Sequence, residues 1–256
     1  MNPLLTTASS THPVMGGVAI IFPLFLALIT LYVGKVAWIE RILPGYRWMS
    51  LGAGVSIAYV FLDILPELNV VQTEIEHTGG LAFLEKHAYL LALVGLGIFY
   101  GVEGLAMRSR RHNLKLTGQD CTTPAIFWVH IGVFCLYNAL IGELLSDMEA
   151  RGLTSTILLS IALGLHFLIT DRGLRRHHKQ PYDRVGRWIL AGGLLVGWIV
   201  GRSLLLDEAV IAVLWGLVAG GLLLNVLKEE LPETKESCLW SFFLGAGGYA
   251  ALLLTI

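Results

Sequence analysis

Eight apolar runs alternate with shorter polar stretches along this chain: residues 14–34, 48–66, 88–107, 124–145, 153–171, 186–205, 209–227 and 239–255. Each is long enough to cross about 30 Å of hydrocarbon as a helix, which takes roughly 17 to 25 residues. Lipid offers the backbone no hydrogen bonds, so each run predicts a helix and none predicts a strand. The expected fold is an all-α membrane bundle of eight transmembrane helices in a single domain over residues 1–256. The first run follows uncharged "MNPLLTTASSTHP" without a basic leader or a small-residue cleavage site, and we read it as a retained span.

Composition agrees with the pattern. Hydrophobic residues make up 55% of the 256 residues and charged ones only 14%, against about a quarter in soluble domains. Mean hydropathy is +0.69. If the N-terminus faces outward, fifteen of the eighteen lysines and arginines fall on the inner side, leaving Lys86, Arg151 and Arg202 outside. That asymmetry is the positive-inside signal, and it sets both termini outside a bilayer, which we take to be a bacterial inner membrane. Trp48, Trp128, Trp188 and Trp240 each open an outward-running span at the inner interface. Eighteen basic residues against nineteen acidic ones give no reason to expect nucleic acid as a partner. Cys121, Cys135 and Cys238 form neither a disulfide framework nor a CxxC pair.

One polar phrase occurs twice. "FLDILPEL", 61–68, and "LKEELPET", 227–234, align so that Ala53-Gly54 matches Ala219-Gly220, Val60 matches Val226 and Asp63 matches Glu229. One copy ends an outward-running span and the other an inward-running one. This predicts an inverted repeat in a 3+2+3 arrangement, the usual construction of secondary transporters, whose sites lie near the midplane between the repeats.

Ionisable groups inside spans are costly and mark paths or sites. Glu103, His130 and His166 are candidate ligands for a divalent cation. Counted at about 1.5 Å per residue from the inner helix ends, they share one level, with Asn225 or water available to complete the set. Asp63, Glu67 and Glu143 lie toward the outer surface, as an acidic entrance or as solvated helix ends. His177 and His178, in the inner "RRHHK" segment, are exit candidates beside arginines that repel a cation. No cofactor is implied, and the cation would be substrate. "GGLLVG" and "AGGLLL" permit close helix packing within a subunit or in a homodimer.

The whole chain resembles the ZIP family of zinc and iron transporters. The resemblance rests on eight spans in a three-two-three order, on "GIFYGVEGLAMRSRRH" (97–112), similar to that family's third helix, and on "AYVFLDILPEL" (58–68), similar to its second. It implies a long inner loop between the third and fourth helices, and metal ligands in the fourth and fifth. Where the family carries H-N-x-P-E-G, this chain has "YNALIG" (137–142), which matches Asn138 and Gly142 and puts Tyr137 and Ile141 at ligand positions. Where the family carries H-E-x-P, "HFLIT" (166–170) keeps His166 alone. The expectation is a secondary carrier moving zinc, iron or manganese inward through a departing site built on Asn138, His166, Glu103 and His130. The alternatives are a ZIP-like scaffold or sensor that has lost its ligands, and a zinc-dependent membrane hydrolase. The hydrolase lacks both an H-E-x-x-H motif and a G-x-S-x-G elbow. No enzyme is expected.

Overall fold

The computed structural model describes residues 20–32, 45–66, 68–70, 72, 88–148, 153–203, 208–230 and 238–254. Among them every regular element is helical. Eight helices follow the eight apolar runs: α1 (Ile21–Tyr32), α2 (Gly45–Tyr59), α3 (Ala88–Thr117), α4 (Pro124–Met148), α5 (Leu153–His178), α6 (Arg187–Ser203), α7 (Glu208–Asn225) and α8 (Leu239–Leu253). Five stretches are long and apolar enough to cross a membrane: Arg47–Val70, Ala88–Thr117, Pro124–Ser146, Thr156–His178 and Tyr182–Ser203. The helical parts of the other three runs are apolar but shorter. Glu67 and part of the first run lie outside the described residues.

The bundle turns the polarity of a soluble protein inside out. Leu93, Tyr100, Leu136, Val196, Trp240 and Leu244 are exposed, while Ser50, Ser56, Glu103, His130, Asn138, Glu143, His166 and Asn225 are buried. Backbone groups satisfied within helices and apolar side chains turned outward are what a hydrocarbon solvent demands.

Two helices run further than the apolar pattern predicts. The inner loop expected after residue 107 is instead the last ten residues of α3, which continues to Thr117. "MRSRRHNLKL" contains no glycine or proline, and its Arg, Lys, Leu and Met residues favour a helix. The helix stops at Gly118, which takes φ +72° and donates its N–H to Leu114 O at 3.1 Å, a left-handed cap that glycine adopts without strain. Only residues 118–123 separate α3 from α4, so the long loop implied by the family resemblance is absent here. Likewise α5 does not end at Asp171 but continues through "RGLRRHH" to His178. The helix breaks at Lys179, which takes φ +54°, and the chain enters α6 through a π-helical turn, Tyr182–Gly186. That corner is held by Asp171, 2% exposed, which accepts from Tyr182 Oη at 2.6 Å and Arg175 Nη2 at 2.9 Å.

Close packing falls on glycines. On α2, a Cβ at Gly54 would overlap Phe242 O of α8 and stand 2.8 Å from Ala246 N; one at Gly245 of α8 would overlap Leu51 O of α2. On α7, a Cβ at Gly220 would overlap Ala92 O of α3 and stand 2.7 Å from Leu96 N; one at Gly95 of α3 would overlap Leu217 O of α7. Adding 166 converts Leu51 and Gly54 to Leu217 and Gly220, and adding 150 converts Ala92, Gly95 and Leu96 to Phe242, Gly245 and Ala246. The same register recurs in the backbone, because α2 runs into a π turn at Val60–Ile64 and α7 into one at Val226–Glu230. Gly193 and Gly197 of α6 meet Cys135 O and Ala139 O of α4, so "GGLLVG" is used for packing inside the chain.

Candidate functional site

Four helices bring charged and imidazole groups together at the arginine-rich end of the bundle. Glu103 comes from α3, five residues before Arg108, and is 4% exposed. Its Oε1 lies 2.9 Å from His130 Nε2 of α4. His177 and His178, both 1% exposed, enter from the last turn of α5, and His177 Nε2 stands 3.5 Å from Glu103 Oε2. Lys228, in the π turn that ends α7, donates from Nζ to the same Oε2. The expectation that His177 and His178 sit in an inner loop is therefore corrected: both are helical and buried. The continued helix carries them inward while Arg172 and Arg176 of the same turns face out.

Two hydrogen bonds join the imidazoles to the α3–α4 corner: His178 Nε2 lies 2.9 Å from His130 Nδ1, and His178 Nδ1 lies 2.6 Å from Thr122 Oγ1. The tautomers of the two rings set which atom donates in each. His130 Nε2 meets Glu103 at ion-pair distance without hydrogen-bond alignment, and neither nitrogen of His177 has a hydrogen-bond partner among the described residues. Among the described residues no group of three or more His, Cys, Asp or Glu is arranged to hold a metal ion.

His166 is not at this level. Its Nε2 lies 3.2 Å from Tyr137 Oη and 3.5 Å from Thr170 Oγ1. Tyr137 is seven residues beyond His130 on α4, a rise of about 10 Å. Counting depth from Asp171 misplaces His166, because α5 continues seven residues past that point. Phe99, Phe134 and Tyr137 fill the space between the two levels, with ring centroids 5.0 to 6.2 Å apart. His130 packs edge-on against Phe134 at 5.0 Å. Asn138 turns to another partner, donating from Nδ2 to Leu190 O of α6 at 3.2 Å.

The remaining candidates are dispersed. Asp63 accepts from Tyr249 Oη of α8 at 3.0 Å. Glu143 is only 6% exposed, so it is not a solvated helix end. Asn225 is 2% exposed, and its Nδ2 has no hydrogen-bond partner among the described residues. Glu67 lies outside the described residues. Sequence reasoning missed Lys228, Thr122 and Tyr137. Lys228 sits one residue past the predicted end of its run, and the inward turn that brings it to Glu103 belongs to the π segment, which apolar counting does not register.

On α5 the buried polar side chains between the two levels are Thr170 and Asp171. Along α5, Thr156, Ser160, His166, Thr170 and His177 are all buried. No protein-family model matches this sequence, and neither a curated protein nor a solved structure is similar to it at a significant level.

Proposed function

We propose that the chain is a secondary carrier in the manner of ZIP transporters, moving a divalent metal cation (zinc, iron or manganese) toward the cytoplasm. The observation that carries this reading is the file of buried polar groups along α5 and α4. It runs from Ser160 through His166 and Tyr137 to the cluster of Glu103, His130, His177 and His178. Apolar packing alone has no use for such groups at depth, where each costs about 2.5–3.5 kcal/mol if charged and unpaired.

The 3+2+3 inverted repeat, with both termini outside an inner membrane, belongs to the same proposal. The paired glycine crossings of α2 with α8 and α7 with α3, and the two π turns in matching register, support it. In this reading the aromatic layer of Phe99, Phe134 and Tyr137 is closed to a hydrated ion, and transport requires one repeat to move against the other. His166 and Asn138 handle the cation on one side of the layer and Glu103 with His130 on the other.

A second reading is a membrane scaffold without transport. Lys228 on Glu103, and the bond between the His130 and His178 rings, favour it, since these groups already hold one another.

Proteoliposomes loaded with a metal-sensitive dye separate the two. Zinc, manganese, iron or cadmium is added outside, and the wild type is compared with His166→Ala, Asn138→Ala and Glu103→Gln. The carrier predicts uptake that the variants lose. Absence of uptake of every divalent ion by folded, reconstituted protein supports the scaffold and overturns the carrier.

A further inference from the structure

A cavity of about 390 Å³ opens between the first turn of α2 and the last turns of α5, lined by Met49, Ile169, Arg172, Gly173, Arg175, Arg176 and Lys179. It lies on the outward face of the turns whose His177 and His178 turn inward to Glu103 and His130 respectively. Among the described residues that line it, four are cations and none is an acid, although Arg175 and Lys179 pair with Asp171, Asp183 and Asp120 outside the lining. We propose that this cavity binds a phosphate-bearing anion at the membrane surface.

The charges are arranged for this rather than only dispersed by topology. Arg175 is fixed by Asp171 and Asp183, both outside the lining, and its Nε–H is buried without an acceptor among the described residues. The Arg172 guanidinium stands 5.9 Å over the ring of the buried Trp48, which seats the arginine against the bundle. Met49 and Ile169 give the cavity an apolar wall beside its basic rim, suited to the glycerol and first methylenes of a lipid. Its volume falls within the range of small-molecule sites, about 300–1,000 Å³.

Basic residues at a helix C-terminus also complement the macrodipole, which is the plainer account of them. The same dipole works against an anion there. Binding must therefore come from the side chains, and guanidinium groups bind phosphate through paired N–H donors. The chemistry is shared by a phospholipid headgroup and by free phosphate, and the experiment tells them apart.

Purified full-length protein is titrated in detergent with phosphatidylglycerol, phosphatidylcholine or inorganic phosphate, and bound ligand is read by native mass spectrometry. The same titrations are run on Arg172→Gln/Arg176→Gln, and on Arg108→Gln/Arg111→Gln, whose exposed side chains on α3 lie outside the lining. Phosphatidylglycerol is expected to bind better than phosphatidylcholine. That preference should fall roughly tenfold or more in the cavity variant, at the strength of basic residues near an anionic surface, and less than about twofold in the control. Phosphate binding with the same dependence on Arg172 and Arg176 also supports the proposal and names a soluble ligand. Should Arg172→Gln/Arg176→Gln fail to fold, Lys179→Gln, with its side chain half exposed, replaces it. Equal loss in the control, or no loss in the cavity variants, overturns the proposal.

Discussion

Lys228 and Glu103, 125 residues apart in the chain, form an ion pair in which the carboxylate side chain is 5% exposed and the lysine 31%. One partner is buried and the other reaches from the edge, so the two ends of the pair have different consequences when removed. Lys228→Gln leaves a buried carboxylate without its lysine, and is expected to cost about 1–3 kcal/mol, less than the 3–5 of a fully buried pair. Glu103→Gln removes the charge that Lys228 and His130 serve. In a double-mutant cycle by chemical denaturation in detergent, the double variant should be less destabilised than the sum of the singles by about 1–3 kcal/mol. Additive effects would mean that the pair does not act as one.

The glycine crossings make a prediction with its own control. Gly54→Ala and Gly220→Ala each drive a methyl into a neighbouring backbone carbonyl, and each should cost about 1–3 kcal/mol as helices move apart. Gly97→Ala meets nothing within 4 Å and should be neutral or slightly stabilising through helix propensity. Thermal unfolding of the three variants tests this, and a tolerated Gly220→Ala would show that α7 and α3 do not pack as described.

Acid should act on the α3–α4 corner through Asp120. Hydrogen bonds from Arg110, Nε at 2.9 Å and Nη2 at 2.6 Å, hold its carboxyl below the usual range, with Lys179 at 3.7 Å adding to the effect. A depressed carboxyl stabilises the fold above its unfolded pKa of about 3.9, and that contribution is lost as pH falls through the folded value. Wild type should therefore exceed Asp120→Asn in melting temperature at about pH 7, and the gap should close as pH falls below the usual carboxylate range. Because Asp120 is 43% exposed, the gap is small and shrinks with added salt. A gap that persists at low pH would assign the effect to packing.

The helices were legible because hydrocarbon imposes length and composition on them, and the eight apolar runs hold the eight helices. Their ends were less so. Arg108 and Arg172 stop an apolar run without stopping a helix, and the continuation through "RRHH" is what carries His177 and His178 into the core. Glu103 and His130 were legible as a pair at one depth, although only His130 was counted from a true helix end, Pro124, and Arg108 lies mid-helix. His166 was counted from Asp171, which lies mid-helix. The partners Tyr137 and Lys228 depend on which way a helix face turns, and a weakly amphipathic lipid-facing helix leaves that rotation unmarked in its sequence.

The length of α3 has one more consequence. Thirty helical residues extend about 45 Å, some 15 Å more than the thickness of a hydrocarbon slab, so an upright α3 that enters the slab at Ala88 carries Arg108–Thr117 out of it as a post. Lys115 is exposed on that post. An amine reagent unable to cross lipid will tag it from one side of a sealed vesicle only, and the tagged side names the compartment into which the post projects.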